Sequence, residues 1–254
     1  MKTCSGVGFG FGLPTETGSP PERTRSLAQA ETVLFTKLKD FGYSPATIYD
    51  IGAAGGRWSF EISQVFPQAS FTLFEPLADA ERYRERLKHV LEAHPGFRLY
   101  PVALSSGNGQ QEMSVFRNIV GSTLIDLPIG EYVQSKMSVE SWRLDDFVAH
   151  MRLSRPNIIK MDVQGFELEV LKGAVRTISE ADILLMETWL YREYGPRTPL
   201  LNEIITFLSP LAFQLTDFGG TYVGQRHRLC SIDAFFMSTR FLESIQSPSR
   251  GWQW

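Results

Sequence analysis

A β-forming run meets a cluster of small residues at positions 47–56, which read T-I-Y-D-I-G-A-A-G-G. Small residues let the backbone turn sharply after a strand and approach a ligand closely. From Asp50 to Gly56 the stretch fits D-x-G-x-G-x-G, with Ala54 in the place of the middle glycine, and it departs from G-x-G-x-x-G at two positions. It therefore favours an adenosine ligand whose amino-acid tail lies over the turn. An ordinary tight turn into a helix is the alternative.

Strands and helices are predicted to alternate on both sides of this loop. Helices are predicted over residues 26–41, 58–66, 79–93, 144–151, 167–179 and 200–208. Strands are predicted over residues 47–51, 70–74, 97–102, 157–161, 183–187, 213–217 and 232–237. Between them, residues 108–145 carry short alternating segments separated by glycine and proline, which predict an inserted antiparallel hairpin or lobe. Because alternation of strands and helices indicates βαβ units, we expect an α/β domain with a mostly parallel sheet and helices on both faces.

Ligands of such sheets bind at the carboxyl ends of the strands, so the residues that end each strand are the candidate site. Glu75 ends the second strand 25 residues after Asp50, a separation at which an acidic residue commonly accepts hydrogen bonds from ribose hydroxyls. A solvated glutamate at a helix start is the alternative. The third strand leads into small apolar residues at 101–105, where an adenine ring would rest.

Asp162 and Glu187 end the fourth and fifth predicted strands of the sheet, and we expect both carboxylates to face one cleft. Two carboxylates there could accept the proton of a substrate hydroxyl, position that hydroxyl, or hold a divalent cation. No cluster of ligands fixes a metal, so no metal site is predicted. Glu167 is either an acid favoured at a helix start or a site residue. His227 is either a catalytic base or a solvated loop residue.

The composition limits the classes of partner. The chain has 254 residues, with 25 Lys and Arg against 28 Asp and Glu, which does not indicate a nucleic-acid partner. No apolar stretch approaches the roughly 18 residues of a membrane span. The two cysteines, Cys4 and Cys230, make no disulfide framework or zinc cluster and indicate reduced thiols in the cytoplasm. Residues 1–25 are predicted to be a disordered tail, and residues 26–254 one domain.

Seven motifs within residues 45–238 resemble the FkbM family of S-adenosylmethionine-dependent methyltransferases. They are D-I-G-A-A-G-G-R-W-S at 50–59, F-E-P at 74–76, V-A-L-S at 102–105, G-S-T-L at 121–124, W-R-L-D-D-F at 142–147, I-K-M-D-V-Q-G-F-E-L-E-V-L-K-G-A at 159–174 and M-E at 186–187. The block around Asp162 is the specific one, and the others support it by order and spacing. The resemblance implies the Rossmann-like class I methyltransferase fold, with seven strands of which the last is antiparallel.

The resemblance also implies roles for individual residues. The implied cofactor-binding residues are Asp50, Gly52, Ala53, Gly56, Glu75, Ala103, Ser122 and Asp162. Asp162 would stand beside the methyl donor and Glu187 near the acceptor, and these two are the candidate catalytic residues. The family usually has Asn where Ala54 stands, so one potential hydrogen bond to the cofactor is missing. Family members mostly methylate hydroxyls of sugars or secondary metabolites, which implies O-methylation of a small-molecule or glycan acceptor.

Two other classes stay open at this point. A nicotinamide-dependent oxidoreductase would suit the sheet and Glu75, although G-x-G-x-x-G fails at two positions. A non-catalytic adenosine-binding module would fit the departure at Ala54. The sequence does not name the acceptor or the oligomeric state.

Overall fold

The computed structural model describes residues 25–224 and 228–245. The predicted tail therefore lies outside the described residues except for Arg25, and so do Cys4 and His227. The helices are α1 (Arg25–Asp40), α2 (Arg57–Val65), α3 (Glu81–Ala93), α4 (Leu144–Met151), α5 (Glu167–Lys172), α6 (Val175–Ile178), α7 (Leu201–Leu208) and α8 (Thr239–Ile245). The strands are β1 (Thr47–Ile51), β2 (Ser70–Phe74), β3 (Phe97–Tyr100), β4 (Ala103–Leu104), β5 (Gly109–Phe116), β6 (Val133–Trp142), β7 (Ile158–Met161), β8 (Ile183–Trp189), β9 (Phe213–Val223) and β10 (Leu229–Ser238).

Seven of these strands form the main sheet, in the order β3-β2-β1-β7-β8-β10-β9. The pairs from β3 to β8 are parallel, and β10 runs antiparallel to both of its neighbours. The strand order reverses beside β1, so β1 and β7 end next to each other at the carboxyl edge. The predicted seven-stranded, mostly parallel sheet with an antiparallel last strand is confirmed.

Apolar side chains cover both faces of this sheet. On one face, Phe35 of α1 and Ile62 of α2 pack with residues of α3 and α8. On the other face, Leu171 of α5 and Leu208 of α7 pack with residues of α4 and α6. All five residues of the central strand β1 are buried, and each large apolar side chain buried in this way contributes about 2 kcal/mol. The helices are thereby fixed on both faces, as predicted.

The inserted hairpin is also present. Strands β5 and β6 pair antiparallel over residues 109–142, and the short β4 joins β6 in parallel. Met113 and Val139 of this lobe are buried in the core cluster that covers one face of the main sheet. The lobe is therefore packed against the carboxyl edge, where it forms one wall of the cleft described below.

Four predicted elements differ clearly in extent from the structure. The third strand stops at Tyr100, because the two residues of β4 pair with the lobe instead of the main sheet. The last two strands are longer than predicted and pair out to Val223 and Leu229. The single helix predicted over 167–179 is two helices, α5 and α6, separated at Gly173. Helix α8 was not predicted.

A close backbone contact requires glycine at position 173, between the two helices. A Cβ added to Gly173 would lie 2.0 Å from the carbonyl oxygen of Ser105. The backbone after β4 therefore touches the end of α5 directly, and only a residue without a side chain allows this approach.

We predict that Gly173→Ala lowers the free energy of unfolding by about 2 kcal/mol or more, because the added methyl group overpacks a backbone contact. Chemical denaturation measures this change. Gly107→Ala is the control, since a Cβ at Gly107 meets nothing within 4 Å. Helix propensity alone favours alanine by about 1 kcal/mol, so a stabilised Gly173→Ala variant would contradict the steric account.

No helix in the described part of the chain is long and apolar enough to cross a membrane. Cys230 is buried and free.

Candidate active site

The loop after β1 is shaped by three left-handed residues. Gly52 has φ +77°, Ala54 has φ +48°, and Gly56 has φ +72° where it begins α2. The amide of Gly52 donates to the carbonyl of Phe74, which ties the loop to the end of β2. A Cβ at Gly52 would lie 1.9 Å from the carbonyl oxygen of Asp162. The loop and the turn after β7 are therefore in direct backbone contact, which requires glycine at position 52.

Glu75 is buried at the end of β2 and is held on both oxygens. Oε2 accepts a hydrogen bond from the amide of Ala54 at 2.7 Å, and Oε1 accepts one from the amide of Leu77 at 2.9 Å. Burial raises the pKa of Glu75 to about 7, although these two amides partly offset the effect. The carboxylate thus has one fixed orientation beside the loop and titrates close to neutral pH.

A partly buried lysine lies beneath the loop. Lys160 Nζ is 3.2 Å from Asp50 Oδ1, 3.6 Å from Asp162 Oδ2 and 3.2 Å from the carbonyl oxygen of Gly52. The other oxygen of Asp50 accepts a hydrogen bond from the hydroxyl of Ser59 on α2 at 2.7 Å. Asp50 is fully buried. It therefore joins β1, β7 and α2 under the loop.

A second polar network connects the ends of β7 and β8. Gln164 Nε2 donates to Asp162 Oδ1 at 2.6 Å and to Glu187 Oε2 at 3.0 Å. The Gln164 carbonyl accepts a hydrogen bond from the hydroxyl of Tyr194. The other oxygen of Glu187 accepts a hydrogen bond from the hydroxyl of Ser231 on β10 at 3.0 Å. Both predicted catalytic carboxylates therefore belong to one network, with the amide of Gln164 between them.

Glu167 closes the turn after β7. It is fully buried, and its Oε1 accepts hydrogen bonds from the amides of Val163 at 3.2 Å and Gly165 at 3.1 Å. Burial raises the pKa of Glu167 to about 8. Of the two interpretations from the sequence, this geometry supports the helix-start acid, because the side chain binds backbone of its own turn.

A cavity of about 640 Å³, which includes its open mouth, lies over the carboxyl ends of β1, β2 and β7. The lobe closes one side of it. Five of the residues predicted from the sequence line it, namely Gly52, Glu75, Ala103, Ser122 and Asp162. The other four, Asp50, Ala53, Gly56 and Glu187, lie behind the cavity wall instead of in it. The sequence therefore predicted nine residues of one region of the fold. It did not distinguish the five that line the cavity from the four that do not.

The cavity lining combines two kinds of residue. Val102, Leu104 and Phe74 are apolar and buried. Glu75, Gly52 and Asp162 supply two acidic side chains and bare backbone. An apolar lining suits a flat base, and a carboxylate at a strand end suits a ribose diol. A second acidic side chain suits a positively charged group, so the residues present fit an adenosine ligand that carries one.

Several lining residues were not predicted. The lobe contributes Met113, Ile119, Val120 and Leu124, and α3 contributes Tyr83. No local pattern distinguishes them from ordinary core residues, because they reach the cavity only through the packing of the lobe and α3. Among the described residues, no group of three or more His, Cys, Asp and Glu side chains could hold a metal ion.

A seven-stranded sheet with one antiparallel strand and a cleft at its carboxyl edge is the Rossmann-like fold of class I methyltransferases. The family described as "Methyltransferase FkbM domain" matches residues 50–215. The chain belongs to this methyltransferase family, as its motifs predicted.

Individual relatives agree with this assignment. Methyltransferase sdnD of Sordaria araneosa is 28% identical over 184 residues, which cover 61% of this chain and 71% of that protein. The 2-O-methyltransferase NoeI of Sinorhizobium fredii is 28% identical over 166 residues, covering 60% and 67%. A solved FkbM methyltransferase from Methylobacillus flagellatus matches 75% of this chain and 43% of its own, with 20% identity and a TM-score of 0.46. None of these matches supports the nicotinamide-dependent oxidoreductase.

We predict that Glu167→Gln changes how stability depends on pH. The carboxyl of Glu167 has a pKa of about 8 in the folded protein, compared with its ordinary value of 4.5 in the unfolded chain. The stability contribution of this group is therefore fully present below pH 4.5 and is lost as the pH rises toward 8. The variant should therefore gain stability relative to the wild type between pH 5 and pH 9. The gain is on the order of 1.4 kcal/mol for each unit of pKa shift removed.

Denaturation at pH 5, 7 and 9 measures the effect. Glu169→Gln, on the same helix and paired with Lys172, is the control for loss of a charge. A constant difference between Glu167→Gln and wild type at all three pH values would show that Glu167 is not a buried titrating group.

Proposed function

We propose that this protein transfers the methyl group of S-adenosylmethionine to a hydroxyl of a small-molecule or glycan acceptor. The observation that carries the proposal is the single cavity in which Glu75, the bare backbone of Gly52 and the carboxylate of Asp162 stand together. The relative NoeI is a 2-O-methyltransferase, which supports a hydroxyl acceptor. The family resemblance supports a sugar or secondary metabolite.

The chain's residues divide the binding of the cofactor among them. Val102 and Leu104 would pack on the adenine, and the Glu75 carboxylate would accept hydrogen bonds from the ribose hydroxyls. The backbone over Gly52 would carry the amino-acid tail. When bound, S-adenosylmethionine would supply an electrophilic methyl group on a positively charged sulfur, and the carboxylate of Asp162 would lie beside it.

The two candidate catalytic carboxylates differ in their exposure to the cavity. Asp162 lines the cavity, and its side chain is 19% exposed. Glu187 is buried behind Gln164. We therefore assign to Asp162 the direct role, in which it accepts a hydrogen bond or a proton from the acceptor hydroxyl. Glu187 stays a candidate that acts through Gln164. The remaining rate enhancement would come from alignment of acceptor and donor, since methyl transfer is an in-line displacement.

Other features stay predictions from the sequence alone. These are a cytoplasmic location, the lack of a nucleic-acid partner, and the extent of the domain over residues 26–254.

Thermal unfolding in the presence of each of two ligands tests which cofactor the protein binds. We predict that S-adenosylhomocysteine raises the melting temperature and that NAD does not, because a ligand stabilises the folded state by about 2.7 kcal/mol at 100 times its Kd. Glu75→Gln should weaken the effect about tenfold in Kd, since a neutral amide accepts the ribose hydroxyls less strongly.

Ser70→Ala, at the opposite end of β2 from Glu75, is the matched control and should respond like the wild type. A shift with NAD alone would overturn the methyltransferase proposal. A shift with neither ligand would favour the non-catalytic module.

Measurements of the turnover rate test the catalytic roles of the two carboxylates. With S-adenosylmethionine and a panel of sugars and polyols, Asp162→Asn should lower kcat by about 100-fold or more and leave the affinity for S-adenosylhomocysteine within a few-fold. Glu187→Gln should have a smaller effect, because Glu187 does not reach the cavity. The assignment is wrong if both variants keep wild-type rates with intact cofactor binding.

A further inference from the structure

Gln164 is held in an unusual backbone conformation. Its φ is +56°, in the left-handed region, and Gly165 after it has φ +87°. A left-handed residue other than glycine costs about 1–2 kcal/mol. Such strain persists only where the surrounding structure imposes it, and it clusters at functional sites. Here Glu167 binds the amides on both sides of Gln164. The turn therefore directs the Gln164 side chain between the ends of β7 and β8.

The amide of Gln164 has only one orientation that satisfies its neighbours. Its nitrogen donates to Asp162 Oδ1 and Glu187 Oε2, and its oxygen accepts the hydroxyl of Tyr194. The opposite orientation would set the amide oxygen against two carboxylates. Burial and the Glu187 carboxylate raise the pKa of Tyr194 well above its ordinary value, so the tyrosine stays a donor and fixes the orientation of the amide.

Hydrogen bonds donated by the Gln164 amide favour the ionised form of both carboxylates. Two carboxylates that share a partly buried site tend to share a proton, whereas hydrogen bonds donated to the ionised form keep it ionised. Asp162 also faces Lys160 at 3.6 Å, and Glu187 accepts the Ser231 hydroxyl. Among the described residues, the other titratable groups that face the pair are Tyr83, Tyr194, Tyr222, Glu167 and Asp233, which is the strand partner of Glu187 on β10.

We propose that Gln164 is a positioning residue: its amide binds Asp162 and Glu187 together and keeps both negatively charged, so that Asp162 faces the sulfonium of S-adenosylmethionine as a carboxylate. The inference rests on the proposed function. The inference extends the proposed function, because it explains how the site would discriminate the charged methyl donor from its neutral product, S-adenosylhomocysteine. Gln164 itself transfers no proton.

Calorimetric titration of Gln164→Met with S-adenosylmethionine and with S-adenosylhomocysteine tests the proposal. Methionine keeps the length of the side chain and removes both donated hydrogen bonds. At pH 6.5 the paired carboxylates should take up a proton, so that the affinity for S-adenosylmethionine falls about tenfold more than that for S-adenosylhomocysteine. At pH 9 this difference should shrink, because the shared proton is lost. In the wild type the ratio of the two affinities also changes with pH, because Glu75 and Glu167 ionise in this range, so the variant is compared with the wild type at each pH.

Gln68→Met, in the exposed turn before β2, is the matched control and should behave like the wild type. Gln164→Met could instead lose affinity equally for both ligands, or could lose more for S-adenosylmethionine by the same factor at both pH values. Either result would mean that Gln164 only supports the turn and would overturn the inference. If Gln164→Met does not fold, Tyr194→Phe carries the same test, since it releases the orientation of the amide. Failure of the wild type to bind either ligand would instead overturn the proposed function.

Discussion

The site depends on one backbone contact, that of Gly52 with the carbonyl of Asp162. A side chain at position 52 would lie 1.9 Å from that oxygen, so the loop after β1 and the turn after β7 can meet only through glycine. This contact brings the bare loop at Gly52 and the residue Asp162 into the lining of one cavity. Lys160 stabilises the contact from below, because its ammonium group reaches Asp50, Asp162 and the Gly52 carbonyl together. Every proposal about the cofactor and the acceptor follows from that arrangement.

The carboxylates around this contact have different roles because they have different partners. Asp50 is neutralised by Lys160 and lies under the loop. Glu75 is bound by two amides, and burial raises its pKa to about 7. Asp162 reaches the cavity between an ammonium group and an amide, whereas Glu187 stays behind Gln164. A site with four acids therefore presents only two of them, Glu75 and Asp162, to a ligand.

The sequence predicted whatever depends on local pattern and strand order. Glu75 and Asp162 were found because the carboxyl ends of parallel strands meet at one edge, and the lobe was found from its change of period. Contacts between distant segments could not be predicted in this way. Tyr194 lies 30 residues from Gln164, and Ser231 lies 44 residues from Glu187. The requirement for glycine at position 173 follows from its contact with Ser105, which no helix propensity records.

A crystal structure of the protein with S-adenosylhomocysteine tests the central claim most directly. The account predicts ribose hydroxyls within hydrogen-bond distance of Glu75, about 2.5–3.0 Å. It also predicts that the amino-acid tail lies along the backbone at Gly52 and that the sulfur lies on the Asp162 side of the cavity. A nucleoside bound away from Glu75, or an empty cleft at saturating ligand, would contradict the account.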